Sequence, residues 1–447
     1  MSDKYVKISK TGTKGRIPTP TEMDFGELLL NYSDGKLFYK NHEGKIKSFN
    51  SNDLEGPFAS FSWDSASPSP NAVDYIPGVT RVTNIHKGMR RCLVKDDGSI
   101  NYYLNPYNSL YKESGEPAVL TGADGQVMVE IPKFYIKKEK KGTIYTWTIS
   151  DLELPGFSLH PAFLKDNTVV ANRYYGAYDA CLYDASASQY ISGLNLDNAD
   201  SLIDINNDIL SSVSGIYPIV GITRAQARSL ASKRGIGWRQ LDFWLVQAIQ
   251  ILYLVEYQSF YSQNILGNGN TADTYVASSS NQEDSPHSIS GRSNSLGNSS
   301  TNTLIGKNTV TNPPTAFMSY RGIENFFGNC WNWVDGFNIL SYVPWVSNND
   351  SYFADNVSTN YIQLSDALPT ESNYQTNLKD LNGAFLPSSV GGSSSTYITD
   401  YFYIYSGNHV AVFGGSASDG ATAGAFFWAC SDGSSYRGRR VGARLAF

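Results

Sequence analysis

Residues 320–336 read YRGIENFFGNCWNWVDG. Gly322, Gly328 and Gly336 permit backbone conformations or close approaches that a Cβ atom would block. Trp331 and Trp333 lie two positions apart, on either side of Asn332. We expect Trp331 to fill the core and Trp333 to lie near an outward recognition face. The segment is therefore predicted to be scaffold, with one surface available for binding.

A second group of short patterns lies near the C-terminus: FGGS at 413–416, GAFFW at 424–428 and VGARL at 441–445. Together with "GNCWNWVDG" at 328–336, in this order, they resemble the formylglycine-generating-enzyme-like branch of the C-type lectin fold. That branch includes the variable proteins of diversity-generating retroelements and phage tropism determinants. The resemblance covers about residues 75–447. It implies an α+β recognition domain with two helices and long loops.

The N-terminal segment 19–39, TPTEMDFGELLLNYSDGKLFY, resembles the opening segment of phage fibre proteins, which commonly anchors a trimer to the particle. Asp34-Gly35 between two β-prone runs predicts a hairpin, and a third strand is expected over 45–49. So small a sheet is marginal in water alone. We expect it to need partners to cover its apolar side chains, which are Leu28, Leu30, Leu37 and Phe38.

These patterns predict three parts of the chain. Residues 1–55 form a β-hairpin arm for virion attachment and oligomerisation, and the Ser/Pro-rich residues 56–74 form a linker. Residues 75–447 form the recognition domain. The resemblance therefore implies an α+β fold class, with a β-rich arm followed by a large C-type-lectin-like domain.

Two helices are predicted in this β-rich background. Thr223 is a good N-cap for a helix over 224–233 that Gly235 ends. A second helix over 239–257 has apolar residues at 3.6-residue spacing, which predicts one core-facing side. Residues 264–312 are rich in Asn, Ser, Gly and Thr and are predicted to be long surface loops, and 341–400 is similarly loop-like. The terminal residues 440–447 are predicted to be one strand inside a sheet.

Composition favours an extracellular recognition protein. Only 17% of the 447 residues are charged, against about 25% in typical domains, while 30 are Tyr and 39 are Gly. Tyr gives large contact area at little entropic cost. The net charge of −6 argues against nucleic acid as a partner. The N-terminus lacks a signal-peptide pattern, and the apolar stretch 238–257 carries charges that prevent it from spanning a bilayer, so we expect no membrane insertion.

The stretch between the scaffold residues of the second group, at 416–419 and 431–439, mixes hydroxyl, aromatic and arginine side chains. In the retroelement-like relatives the equivalent stretch is the exposed, variable ligand face, and the resemblance implies that role here. The alternative is a solvated loop beside a core strand. The ligand-binding candidates are Trp333, Ser418, Asp419, Ser434, Ser435, Tyr436, Arg437 and Arg439.

Catalysis by this chain is not expected, and no catalytic residue, metal or cofactor is predicted. The oxidase of the resembled branch uses two cysteines close together near the C-terminus, with copper, whereas Cys330 and Cys430 are far apart in sequence. Isolated buried thiols are the favoured interpretation of all four cysteines. Sugar binding through calcium lacks its usual residue pattern, and a glycosidase would need a carboxylate pair that sequence cannot identify.

The sequence thus predicts a bacteriophage virion protein, a tail or head fibre or adhesin. Its expected partners are other virion proteins, bound through the arm, and a host-surface glycan or protein. A homotrimer located on the virion surface is expected. The alternatives are a capsule-degrading glycosidase and a formylglycine-generating-type oxidase on the same fold.

Overall fold

The computed structural model describes residues 8–447 except 26, 34–35, 41–43, 51–57, 192–195, 273–285, 307–313 and 357–358. About 35% of the described residues are in strands and 12% in helices, which confirms the coarse α+β class. Within the described residues, no helix combines the length and apolar character needed to cross a bilayer.

The strands, in chain order, are β1 (Ile8–Thr11), β2 (Leu28–Asn31), β3 (Lys36–Lys40), β4 (Ile46–Asn50), β5 (Phe58–Asp64), β6 (Arg90–Val94), β7 (Ile100–Tyr103), β8 (Gln126–Pro132), β9 (Tyr135–Lys141), β10 (Ile144–Ser150), β11 (Ser158–Leu159), β12 (Leu164–Lys165), β13 (Thr168–Val169), β14 (Asn172–Gly176), β15 (Cys181–Asp184), β16 (Gln189–Ile191), β17 (Ile209–Ser211), β18 (Arg239–Gln240), β19 (Ser319–Tyr320), β20 (Ile323–Glu324), β21 (Trp331–Leu340), β22 (Val343–Val346), β23 (Ile362–Gln363), β24 (Asn373–Leu378), β25 (Pro387–Val390), β26 (Ile398–Ile404), β27 (Asn408–Phe413), β28 (Trp428–Asp432), β29 (Val441–Gly442) and β30 (Leu445–Ala446). The helices are α1 (Asn84–Gly88), α2 (Arg224–Ser232), α3 (Phe243–Tyr257) and α4 (Ser262–Leu266).

The N-terminal arm is a four-stranded sheet in the order β1-β2-β3-β4. Strands β2 and β3 pair antiparallel and β4 follows β3, which confirms the three predicted strands; the Asp34-Gly35 turn lies outside the described residues. β1, which was not predicted, pairs parallel to β2. Leu29, Phe38 and Met23 form a small buried cluster. Phe38 is therefore buried within the arm itself, contrary to expectation. Leu28, Leu30 and Leu37 are half-buried.

The predicted linker over 56–74 is wrong from Phe58 onward, because β5 belongs to the head. β5 pairs antiparallel with β10 over its whole length. Its alternating pattern buries Phe61 and Trp63 completely. The Ser/Pro residues that follow form a turn, and the Trp63 indole donates to the Ser69 carbonyl at 2.9 Å. The Ser/Pro-rich composition of that turn is typical of a linker, and it led to the wrong prediction for the strand that precedes it.

The head contains a six-stranded sheet, β18-β30-β14-β8-β6-β7, and a nine-stranded sheet, β23-β22-β21-β27-β28-β26-β24-β25 with β29 beside β21. It also contains a four-stranded sheet, β11-β9-β10-β5, and a three-stranded sheet, β16-β15-β17. The predicted single C-terminal strand is instead two short strands in different large sheets. β29 pairs parallel with β21, and β30 lies between β14 and β18. The C-terminus therefore joins the two large sheets.

Helix α2 begins where predicted, because Thr223 caps it and forms a capping box with Gln226. Helix α3 begins at Phe243, later than predicted, since Arg239–Gln240 pairs with β30 and Asp242 supplies the cap. The helix is buried on nearly every side, so the expected single apolar side is wrong.

The described part of 264–312 is irregular, as predicted, but much of it is buried. Arg91 donates to Asn294 Oδ1 at 3.1 Å and to Ser293 Oγ at 2.6 Å. Glu324 accepts from the backbone and hydroxyl of Ser293, both at 2.6 Å. The polar side chains that suggested a surface loop instead form hydrogen bonds with buried charged side chains. Region 341–400 is also more regular than predicted, because it contains β22 to β25 and the start of β26.

Candidate functional site

Trp333 and Trp331 have the reverse of their predicted positions. Trp333 is completely buried and its indole donates to the Ile222 carbonyl at 2.8 Å, so the expectation that it faces a ligand is wrong. Trp331 is half-buried at the start of β21. Both side chains lie on the same face of β21, as residues two apart in a strand do. A second core covers this face, and Trp333 is buried within that core while Trp331 packs against it.

Asp419 and Ser418 lie beside Trp331. The Asp419 carboxylate accepts the Trp331 indole N–H at 2.6 Å. The same oxygen accepts the Ser416 backbone N–H at 2.6 Å and its hydroxyl at 2.9 Å. Asp419 therefore fixes the position of Trp331, and Ser418, half-exposed next to it, stays a candidate contact.

The two candidate arginines bind the loop at 197–200. Arg437 donates to Asn198 Oδ1 at 3.0 Å and forms an ion pair with Asp200. Arg439 holds the Asp197 carboxylate with two side-chain nitrogens, one of them at 2.9 Å. These hydrogen bonds lower the pKa of Asp197 and of Asp200. Arg439 is buried, so its predicted direct contact with a ligand is wrong, and its role is to hold the two loops together.

Part of the Tyr436 side chain also packs against the core. Its ring packs edge-on against Trp333, with ring centroids 6.3 Å apart, and it is half-buried. Ser434 is half-buried and Ser435 is exposed. The segment 431–439 is thus held by Tyr436 and both arginines, and Ser434, Ser435 and the outer edge of Tyr436 form its accessible part.

A row of aromatic rings that sequence analysis did not single out crosses the same face of the nine-stranded sheet. Tyr374 on β24 pairs with Tyr401 on β26, and their ring centroids are 5.1 Å apart. Tyr401 contacts Tyr403 at 4.5 Å, and Tyr403 contacts Phe427 at 5.8 Å. Phe427 stacks on Trp331 at 6.2 Å. We call these five residues the aromatic ladder.

The ladder combines one buried ring with four rings that are partly accessible. Phe427 is completely buried, while the other four side chains are half-buried. Burial raises the pKa of Tyr403, and the negative charge of the Asp419 carboxylate raises it further. Ring faces supply apolar contact and phenol hydroxyls supply hydrogen bonds, a combination suited to sugars and to protein loops. The period-two spacing of Tyr401, Tyr403 and Tyr405 was the available sequence signal.

Asp400 lies behind the ladder on the opposite face of β26, where burial raises the pKa of its carboxyl to about 8. One oxygen accepts the Phe426 backbone N–H at 2.7 Å. Gly424 makes room for the carboxyl, because a Cβ atom there would lie 2.2 Å from it. Asp400 is therefore protonated in the folded protein at neutral pH.

This protonation predicts a specific pH dependence of stability. The unfolded carboxyl ionises near its ordinary pKa of 3.8, whereas the folded one ionises near 8. The stability gained from this difference is complete below the unfolded value and is lost as pH rises toward 8. The folded protein should lose about 1.4 kcal/mol between pH 6 and pH 7 from this group. Asp400→Asn should flatten that part of the profile in chemical unfolding; parallel profiles of parent and variant would contradict the assignment.

All four cysteines are buried and unpaired, as favoured from sequence. Burial raises the pKa of Cys330 and of Cys430, which disfavours the reactive thiolate of either residue. Across the part of the chain that the structure describes, no cluster of three His, Cys, Asp or Glu side chains has metal-site geometry.

Sequence comparison adds no relative to this description: no protein-family model matches the chain, and no curated protein matches it with significance.

Proposed function

We propose that the chain is a structural protein of a bacteriophage particle, a tail or head fibre or adhesin, that binds the host surface. The aromatic ladder is the observation that carries the proposal. It places four half-buried aromatic side chains in a row on one sheet face, next to the predicted contact Ser418. The ligand is a glycan or a protein of the host surface.

The neighbouring segment 431–439 supports binding by limiting flexibility. Its arginines attach it to the loop at 197–200, and Tyr436 packs on Trp333. A surface ordered before it meets a ligand loses less entropy on binding, which favours affinity. Arg437 and Arg439 thus contribute by positioning, and Ser434, Ser435 and Tyr436 remain candidate contacts at the edge of the ladder.

We also propose that the head is an elaborated C-type-lectin-like domain. The residues that carry the resemblance lie on adjacent elements, since 328–336 leads into β21 and runs along it, and β21 pairs with β27 and β29. β27 in turn pairs with β28, which begins at Trp428. Helices α2 and α3 precede these strands in the chain, in the order that the resemblance implies.

The arm is proposed to join copies of the chain into a homotrimer and to attach it to other virion proteins. Its own buried cluster is small. Ile17, Phe25 and Tyr32 on the arm are each about two-thirds exposed, at 66%, 65% and 65%. Association would cover these apolar side chains.

A capsule-degrading glycosidase and a formylglycine-generating-type oxidase are the alternatives on the same fold. A glycosidase acts through two carboxylates. The oxidase of the resembled branch uses two cysteines close together near the C-terminus. The ladder supplies aromatic contact surface instead, and Cys330 and Cys430 are buried. These features support binding over either chemistry.

The proposal predicts that the double variant Tyr401→Ala, Tyr403→Ala adsorbs to host cells at least tenfold less, a loss of about 1.4 kcal/mol in binding. Tyrosines at the centre of an interface are frequent hot spots, where truncation costs about 2 kcal/mol or more. Adsorption is measured with phage at equal particle number, after thermal unfolding has shown that the variant head is folded.

Two matched variants test the cause. Tyr401→Phe, Tyr403→Phe keeps the rings and should retain most adsorption. Tyr107→Ala removes a tyrosine that is 80% exposed and outside the ladder, and it should have no effect. Unchanged adsorption in the double alanine variant would exclude the ladder as the receptor site.

A further inference from the structure

A second concave surface lies away from the ladder, between the six-stranded and three-stranded sheets. It is a cleft of about 570 Å³. This volume is within the range of about 300–1,000 Å³ that is common for small-molecule sites. Its walls come from the β6–β7 turn, residues 121–125 with the first residue of β8, the β15–β16 hairpin and the segment after α2.

The floor of the cleft is held by buried polar contacts. Arg234, which is buried, donates to Asp96 Oδ1 and to Ser211 Oγ, both at 2.6 Å, and to the Leu210 carbonyl at 3.0 Å. On the opposite side, the Asp124 carbonyl accepts from Asn101 Nδ2 at 2.9 Å. These contacts join separate turns, so the cleft is preformed.

Two tyrosines form one wall. Tyr183 and Tyr190 face each other across β15 and β16, with ring centroids 5.0 Å apart in an edge-to-face arrangement. Gly122 lets Tyr190 approach the 121–126 turn, because a Cβ atom there would lie 1.8 Å from the tyrosine hydroxyl. Gly122 also has a φ of +96°, which other residues rarely adopt. Both tyrosines are half-buried, so part of each ring remains available to a ligand.

The charges around the cleft balance. Lys95 and Arg234 carry two positive charges, and Asp96 and Asp124 carry two negative charges. A cleft without net charge gains little from an ionic ligand. It offers hydrogen-bond donors and acceptors at several positions, including Asn101 and Thr121, beside aromatic rings. A sugar ring matches this arrangement, because its hydroxyls both donate and accept and its C–H faces can pack against aromatic rings.

We propose that this cleft is a second binding site, specific for an uncharged saccharide. The site is independent of the ladder, which lies on the nine-stranded sheet. It is also independent of whether the protein belongs to a virion.

The test uses the purified full-length chain and an array of bacterial surface glycans that includes neutral and acidic members. Neutral glycans should bind, and Ala123→Trp should reduce their signal at least tenfold by filling the cleft. Ala123 is exposed and lines the cleft, so the new side chain enters it without disturbing the core. Tyr183→Ala should weaken the same glycans by removing one ring.

The matched control is Ala187→Trp, which adds the same side chain at an exposed position of the β15–β16 hairpin and should not change binding. The ladder variant Tyr401→Ala, Tyr403→Ala should also retain it, which separates this proposal from the adsorption proposal. Saturation-transfer NMR with glucose, galactose, mannose and N-acetylglucosamine provides a second readout. The proposal is overturned if only acidic glycans bind, if Ala123→Trp leaves neutral-glycan binding unchanged, or if neither assay detects neutral sugars.

Discussion

Arg444→Met is expected to destabilise the head by about 3–5 kcal/mol, the usual result of removing one partner from a buried ion pair. Arg444 is completely buried and pairs with Asp179, which is itself buried. It also donates to the carbonyls of Gly176 at 3.0 Å and Asn325 at 2.9 Å. Methionine fills a similar volume but leaves the Asp179 charge uncompensated. It also removes the link between β14, the segment 320–336 and the C-terminus.

Arg437→Met is the matched control, since it removes an arginine from the same C-terminal segment at a partly exposed ion pair. Exposed pairs contribute about 0–1 kcal/mol, so this variant should remain nearly as stable as the parent. Urea unfolding of both variants measures the difference. If Arg444→Met costs no more than Arg437→Met, the buried pair does not stabilise the fold in the way described.

Local signals in the sequence predicted the local structure well. Thr223 starts α2 because its side chain and that of Gln226 satisfy neighbouring backbone groups, a contact made within four residues. The arm strands β2, β3 and β4 also follow from short runs and turns. In contrast, the start of α3 depends on the pairing of Arg239–Gln240 with β30, about 200 residues away in the chain. No local pattern contains that information.

The same limit explains the errors at the site. The spacing of Trp331 and Trp333 could not show that the second core covers the face of β21 that carries both side chains, because the residues that form this core are distant in sequence. The segment that contains Arg437 and Arg439 has the composition of a binding loop. The residues that these arginines bind, at 197–200, are distant from it in sequence. The ladder was partly visible in the spacing of Tyr401 and Tyr403. Its extension to Tyr374 and Trp331 depends on the register of the sheet.

Removal of residues 1–50 is expected to abolish incorporation of the protein into virions while the head still folds. The buried cluster of the arm is separate from the two clusters of the head, and the head begins at β5 with Phe61 and Trp63. The truncated chain should therefore unfold at a temperature close to that of the full chain. Particles assembled with it should lack the protein and adsorb only through other virion components.

Point variants distinguish a specific arm interface from a general effect of truncation. Ile17→Asp, Phe25→Asp places charges on the exposed apolar side chains of the arm and should reduce both trimer formation and incorporation, because burial of an unpaired charge is costly. Ile236→Asp makes the same change at a 99% exposed head residue and should have no effect on either. Trimer content is measured by analytical ultracentrifugation and incorporation by quantifying the protein in purified particles. Normal incorporation of the truncated chain, or equal defects in the arm and head variants, would show that attachment does not depend on the arm.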